Sequence, residues 1–130
     1  MTAFCDTNAL VYAFIAGPNQ TIARASVAEC DAISVQVLNE FVNATAKKLK
    51  IPWPEIDQAL ELIDEQFPDP LPLTRDVHRA GLMLCRDHRI AFYDALIVAA
   101  AIEAGRHRLF SEDLQHGRRF GDCTIVNPFP

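Results

Sequence analysis

The feature that most constrains this chain is an apolar run near its start that stops at a charged residue. In the stretch 2–8, Phe4 and Cys5 precede Asp6, and a new apolar pattern begins at Ala9 after two small polar residues. This pattern predicts a buried strand that ends at Asp6 and turns into a helix. In an open α/β sheet, ligands bind in the crevice beyond the carboxyl ends of the strands. We therefore expect Asp6 to lie in a binding site, with later acidic residues of the chain around it.

The rest of the chain alternates between helical patterns and short apolar runs. Apolar spacing and breakers predict helices at residues 9–15, 21–30, 36–48, 53–67, 75–87 and 92–104. Short apolar runs predict strands at residues 32–35, 109–110 and 124–126, with a possible edge strand at 71–73. The alternation predicts an α/β fold, in which residues 1–130 form one domain with a mainly parallel sheet of about four to five strands flanked by helices.

The composition fits a protein that stays in the cytoplasm. The chain has 130 residues, half of them hydrophobic, which is enough for one compact domain with a core. No apolar run approaches the roughly 20 residues of a membrane span, and the start of the chain has no secretory signal pattern. The cysteines are scattered and have apolar neighbours, so we expect reduced core thiols: Cys5, Cys30, Cys85 and Cys123.

The charge balance limits the function classes. A net charge of −5 argues against a strongly basic protein that binds nucleic acid without specificity. It does not exclude nucleic acid as a substrate, because acidic residues can belong to a metal site in which a bound cation changes the local sign.

Four acidic residues stand at or near the ends of predicted elements, and each also has a purely structural explanation. Asp6 is a good helix N-cap, and Glu40 could be a solvated surface residue of its helix, on the side of Gln36, Asn43 and Lys47. Asp94 could be an ordinary acid in the first turn of a helix, and Asp113 a turn residue or the N-cap of a short helix.

Together the four acids suggest metal chemistry. Carboxylates that share a pocket repel one another, and a divalent cation removes that repulsion. Mg²⁺ and Mn²⁺ prefer oxygen ligands, and such a site can activate water to attack a phosphodiester.

Four blocks of the sequence, in order along the whole chain, resemble the motifs of PIN-domain ribonucleases. The blocks are residues 4–8 around Asp6, 33–41 ending near Glu40, 93–101 around Asp94 and 109–114 around Asp113. The resemblance is closest to the VapC-type toxins of bacterial type II toxin–antitoxin pairs, and residues 125–129 are similar to the usual ending of those toxins.

The resemblance implies a function and a set of site residues. Asp6, Asp94 and Asp113 would hold one or two Mg²⁺ or Mn²⁺ ions, with Glu40 completing the metal site or orienting the attacking water. Thr7, Asn8 and Ser111 match small polar positions that would support these ligands through hydrogen bonds. The reaction would be hydrolysis of RNA that leaves a 5′-phosphate.

The resemblance also implies partners: an RNA substrate, a cognate antitoxin that blocks the cleft, and a second copy of the chain in a homodimer. Basic residues near the cleft would contact RNA, although a solvated surface charge is the simpler explanation for each of the candidates Lys47, Arg86, Arg89, Arg118 and Arg119.

Other functions stay open. A PIN-like nuclease could act in RNA processing or on DNA, outside a toxin–antitoxin pair, and the four acids do not separate these roles. A phospho-acceptor receiver domain would need paired acids after the first strand and a late lysine, and no lysine follows Lys50. A haloacid-dehalogenase phosphatase would need an aspartate where this chain has Asn8. A binding or scaffold role is disfavoured by the complete set of acids.

Overall fold

The computed structural model describes residues 3–130. These residues form a four-stranded sheet surrounded by helices. Thr2, part of the predicted first strand, lies outside the described residues. The strands are β1 (Ala3–Cys5), β2 (Arg108–Phe110), β3 (Arg119–Phe120) and β4 (Cys123–Val126). They lie in the order β1-β2-β4-β3, with β1, β2 and β4 parallel and β3 antiparallel to β4. The prediction of an α/β fold with a mainly parallel sheet is confirmed.

The predicted helices are all present, with small changes at their ends. They are α1 (Thr7–Phe14), α2 (Gln20–Ala28), α3 (Val35–Asn43), α4 (Trp53–Gln66), α5 (Arg75–His88) and α6 (Phe92–Glu103). Helix α1 begins two residues before the predicted start because the Asp6 carboxylate accepts a hydrogen bond from the backbone N–H of Thr7, at 2.6 Å. Asp6 is therefore an N-cap, and its position still leaves it free to serve in a site.

The end of the third predicted helix is not α-helical. Residues Ala44–Lys48 form a π-helical turn, in which the backbone N–H of Leu49 donates to the carbonyl of Ala44, five residues earlier. The buried hydroxyl of Thr45 donates to the carbonyls of Phe41 and Val42, at 2.8 and 3.3 Å. A hydroxyl that bonds these carbonyls competes with the regular helical ladder, which favours the wider turn.

Two predicted strands are wrong. Residues 32–35 and 71–73 each contribute only isolated bridges, Ala32 beside Phe4 and Leu71 beside Ser34. Ser34 caps α3 through its hydroxyl and so ends the first extended segment. Pro70 and Pro72 flank Leu71 and have no N–H to donate, so the second segment cannot extend its pairing.

Strand β3 is not among the strands predicted from the sequence. Phe120 pairs with Cys123 across a two-residue turn that begins at Gly121, whose φ is +59°. A Gly-Asp pair between short apolar segments is a hairpin signal, so the strand could have been found.

Helix α6 is the centre of the core. Seven consecutive residues of this helix, Ala95 to Ala101, are buried. Helix α5 packs closely on α6 at Gly81, where a Cβ atom would come within 2.7 Å of the Leu96 side chain. Three of the cysteines are buried and Cys85 is half-buried, and all four are free thiols. No helix within residues 3–130 is long and apolar enough to cross a membrane.

Candidate active site

Asp6 and Ser111 lie side by side because they follow neighbouring parallel strands. Cys5 at the end of β1 is in register with Phe110 at the end of β2, and the Asp6 N–H donates to the Phe110 carbonyl at 3.0 Å. The Ser111 hydroxyl donates to Asp6 Oδ2 at 2.7 Å, and the backbone N–H of Thr7 donates to Asp6 Oδ1. The Asp6 side chain is 2% exposed, so these two bonds fix its orientation.

Asp113 is held by two of the small polar residues that the sequence singled out. Asn8 Nδ2 donates to Asp113 Oδ1 at 3.1 Å, and the Asp113 backbone N–H donates to the Ser111 hydroxyl at 3.3 Å. No helix begins at Asp113, which is an exposed turn residue beyond β2. Ser111 therefore links Asp6 to Asp113 across 107 residues of sequence.

Glu40 comes from the middle of α3 and is half-buried, so it is not the solvated surface residue of the simpler explanation. Gln36, one turn earlier and buried, donates from Nε2 to Glu40 Oε2 at 3.0 Å. This bond restrains the orientation of the Glu40 carboxylate. The sequence analysis gave Gln36 no role, although its i,i+4 spacing to Glu40 is a usable signal.

Asp94 lies in the first turn of α6 and is half-buried. No side chain caps this helix, so its free N–H groups and dipole stabilise a negative charge there. Its neighbours in α6 enter the core, and Asp94 stands at the edge of that core near the other acids.

The pKa values show that the four acids act on one another. Burial, together with the charges of Asp113 and Asp94, raises the pKa of Asp6 to about 6, against the hydrogen bonds from Ser111 and Thr7, which lower it. Burial, then Asp113 and Glu40, raise the pKa of Asp94 to about 6. The pKa of Glu40 is raised by burial and by Asp6 and Asp113, and is lowered by Gln36 and Lys48. The four predicted acids are thus near enough for their charges to affect one another.

The excess of negative charge has no ion-pair partner in the protein. Within residues 3–130, none of the four acids forms a salt bridge. The Thr7 hydroxyl is also buried without a hydrogen-bond partner. Buried polar groups are nearly always satisfied, so an unpaired hydroxyl beside unpaired carboxylates fits a site that receives a further ligand.

The donor set fits Mg²⁺ or Mn²⁺. The groups offered are carboxylate, hydroxyl and amide oxygens, which these hard cations prefer. In the described part of the chain, no three acidic, histidine or cysteine side chains are close enough to form a complete metal cage. Mg²⁺ keeps several of its waters and is commonly held by one or two carboxylates, so an incomplete cage is compatible with it.

A cleft of about 600 Å³ opens beside these acids. Its walls come from α1, α3, the π-helical turn, the start of α6 and the segment after β2, and they are mostly polar. The lining residues include Thr7, Asn8, Gln36, Asn39, Glu40, Asn43, Lys48, Tyr93 and Asp113. We call this space the cleft.

The basic residues suggested as RNA contacts do not line the cleft. Arg86 pairs with Asp87, and Arg118 donates to the carbonyl of His88 at the end of α5. The cation on the cleft wall is Lys48, the neighbour of the suggested Lys47. The remaining suggestions, Arg89 and Arg119, are likewise outside the lining set.

The family of the chain follows from a comparison of its sequence with known families. Its sequence matches the PIN domain over residues 3–120. The chain belongs to the PIN domain family. A search of curated proteins finds no match to it.

Solved structures with the same PIN fold come from bacterial toxin–antitoxin proteins. A toxin–antitoxin complex from Klebsiella pneumoniae is 21% identical, with a TM-score of 0.71 and 98% of each chain covered. VapBC2 from Rickettsia felis, bound to a DNA fragment from its promoter, is 19% identical, with a TM-score of 0.71 and 98% of each chain covered. VapC20 from Mycobacterium tuberculosis, a toxin that cleaves the sarcin-ricin loop, is 18% identical with a TM-score of 0.67, covering 82% of this chain and 86% of that chain. The fold of this PIN domain is therefore that of VapC-type toxins.

Proposed function

We propose that this PIN domain is a metal-dependent endoribonuclease that serves as the toxin of a toxin–antitoxin pair. The observation that carries the proposal is that four acids, Asp6, Glu40, Asp94 and Asp113, act on one another without an ion-pair partner in the described part of the chain, and that two of them, Glu40 and Asp113, line the cleft. A bound divalent cation would neutralise the negative charge of these four acids, which explains why none of them has an ion-pair partner in the described chain.

In such a site, some residues would bind the metal, and others would orient the residues that bind it. Asp6, Asp94 and Asp113, with Glu40, would hold Mg²⁺ or Mn²⁺, one or two of them directly and the others through waters that the ion keeps. When bound, the ion supplies an activated water and stabilises the charge that develops on the phosphate. Ser111, Thr7, Asn8 and Gln36 fix the carboxylates by hydrogen bonds, so the ligands are oriented before metal and RNA arrive.

We further propose that the chain pairs with an antitoxin and with a second copy of itself. The first partner is supported by the structures of similar fold described above, the Klebsiella pneumoniae toxin–antitoxin complex and VapBC2 from Rickettsia felis. Helix α5 supports the second, since Leu82 and Met83 on it are 51% and 55% exposed. Such a toxin acts where its RNA is, which places it in the cytoplasm. Light scattering tests the dimer, and a monomer at every accessible concentration would contradict it.

A cleavage assay tests the proposed activity. Total cellular RNA is incubated with the wild-type protein and with Asp94→Asn, each in Mn²⁺ and in EDTA. We expect cutting by the wild type in Mn²⁺ alone, because both the metal and its ligands are needed. Cutting in EDTA would overturn the metal mechanism, and equal cutting by the variant would remove Asp94 from the site.

A parallel assay on single-stranded DNA of matching sequence separates RNA from DNA as the substrate. We expect RNA to be cut and DNA to be left intact. Cutting of DNA alone would retain the metal site but replace the proposed substrate.

A further inference from the structure

Tyr93 is exposed at the cleft although the residue before it is anchored. The Tyr93 side chain is 64% exposed and lines the cleft. Its ring centroid is 5.9 Å from that of Phe92, which packs against the core and makes an edge contact with His78 at 5.5 Å. Packing in the fold gains little from an aromatic ring in this position. The Tyr93 ring nevertheless contacts Phe92 on one side, and its exposed part is accessible to a ligand in the cleft.

Lys48 reaches the same cleft because of the π-helical turn. In a regular helix, the face that holds Gln36, Glu40 and Asn43 would continue at position 47. The extra residue in the turn Ala44–Lys48 moves that face on by one position, so Lys48 lines the cleft in place of Lys47. The positive charge of Lys48 acts on Glu40, whose pKa it lowers against the larger effect of burial. π-helical turns are frequent at functional sites, and this one places a cation there.

The charge of the cleft limits how it could hold a nucleic acid. Glu40 and Asp113 line it, and Lys48 is the only lysine or arginine among the lining residues that the structure describes. A polyanion therefore gains little from general electrostatic attraction here. The affinity must come from a bound metal together with contacts to the bases, and the exposed amides of Asn39 and Asn43 are suited to base edges.

We propose that Tyr93 and Lys48 hold RNA in the cleft, with one unpaired base stacked on Tyr93 and one backbone phosphate held by Lys48. The proposal rests on the function proposed above and names two residues of this chain that would bind its substrate. An exposed ring stacks on any unpaired base, whereas bases within a duplex are already stacked on one another. Neither residue takes part in the chemistry of the acids, so their loss weakens RNA binding and leaves the metal site in place.

Binding is measured by fluorescence anisotropy with a labelled single-stranded RNA of mixed sequence. Ca²⁺, which also takes oxygen ligands, replaces Mg²⁺, so that the four acids keep a cation while the RNA stays intact during the titration. The same titration with a self-complementary hairpin is expected to give weaker binding, and tighter binding of the hairpin would overturn the stacking of an unpaired base on Tyr93.

The stacking contact is tested at Tyr93. Tyr93→Ala is expected to weaken binding about 5- to 100-fold, and Tyr93→Phe to keep it, because the ring rather than the hydroxyl carries the contact. Trp53→Ala is the matched control, since Trp53 is 60% exposed but lies outside the lining of the cleft. The fluorescence of a 2-aminopurine base in the RNA should be quenched on binding to the wild type and to Tyr93→Phe. It should not be quenched on binding to Tyr93→Ala.

The phosphate contact is tested with the two adjacent lysines. Lys48→Gln is expected to reduce the slope of log affinity against log salt by about 0.7, the value for one phosphate of a single strand. Lys47→Gln removes the same charge one residue away and is expected to leave the slope unchanged. Equal slopes for the two variants would overturn the role of Lys48.

The outcomes separate this inference from the proposed function. If the wild type binds RNA in Ca²⁺ and cuts it in Mn²⁺, but Tyr93→Ala and Lys48→Gln bind as the wild type does, then the inference is wrong and the nuclease function stands. If the wild type neither binds nor cuts RNA, then both are wrong.

Discussion

The two ends of the sheet treat charge in opposite ways. At the amino end of β2, Arg108 pairs with Glu29 at 3.2 Å, and nearby Arg106 pairs with Asp31 at 2.8 Å. At the carboxyl ends of β1 and β2, acidic side chains gather without a salt bridge in the described chain. The same chain neutralises its acids at one end and leaves them unpaired at the other. The unpaired end is therefore where we expect an external cation and a function.

The largest expected difference between the two ends is in activity. Asp94→Asn at the unpaired end is expected to lower RNA cleavage by at least about 10²-fold, because it removes a metal ligand that stabilises developing charge. Asp31→Asn, which removes an acid at the paired end, is expected to leave the cleavage rate unchanged. Gel assays in Mn²⁺ compare the two, and a similar loss in both would show that the ends do not differ in function.

The stability of the protein should depend on pH because of Asp6, at the end of the sheet where the acids are unpaired. Burial raises the pKa of Asp6 in the folded state from 3.8 to about 6, so between these values the folded state binds a proton that the unfolded state does not. The metal-free protein should therefore become more stable as the pH falls from 7.5 through about 6, and Asp6 should contribute about 1.4 kcal/mol between pH 7.5 and pH 5. Urea unfolding at pH 7.5 and pH 5 measures this change, and lower stability at pH 5 would contradict it.

A third prediction concerns the stability of the metal-free protein at pH 7.5. Asp94→Asn should stabilise it, because the amide removes a charge that burial, Asp113 and Glu40 disfavour. Asp94 is only half-buried, so after solvent screening the gain should be about 1 kcal/mol. A shift of the urea midpoint to higher concentration is expected, and a clear shift to lower concentration would show that Asp94 is not repelled.

The smallest expected effect is at the paired end. Asp31→Asn removes a partly exposed ion pair with Arg106, and such pairs contribute about 0–1 kcal/mol. The same urea experiment should give a small loss of stability, opposite in sign to that of Asp94→Asn. A gain of stability would mean that the acids at this end are repelled as well.

Much of the fold follows from local signals in the sequence. Asp6 and Ser34 each follow an extended segment and cap a helix through a side-chain oxygen, so the starts of α1 and α3 follow from capping chemistry. Parallel strands that end at Cys5 and Phe110 place the next residues together, so the strand register explains why Asp6 and Ser111, the latter assigned from the resemblance to PIN-domain ribonucleases, share one site.

Other features depend on contacts that the sequence does not display. The π-helical turn follows from the hydroxyl of Thr45, which only burial directs to the carbonyls of Phe41 and Val42. For that reason helical spacing selected Lys47 for the cleft face, where the structure has Lys48. The segment at 32–35 was assigned as a strand from its composition, but Ser34 ends it too early for more than an isolated bridge.

The measurement that tests the central claim most directly is the thermal stability of the protein with and without Mn²⁺ at pH 7.5. A cation at 100 times its Kd contributes about 2.7 kcal/mol, which should raise the Tm of the wild type by about 10 °C. Asp31→Asn should show the same rise, and Asp94→Asn a much smaller one. An unchanged Tm in the wild type, or an equal rise in Asp94→Asn, would contradict the claim that the unpaired acids form a metal site.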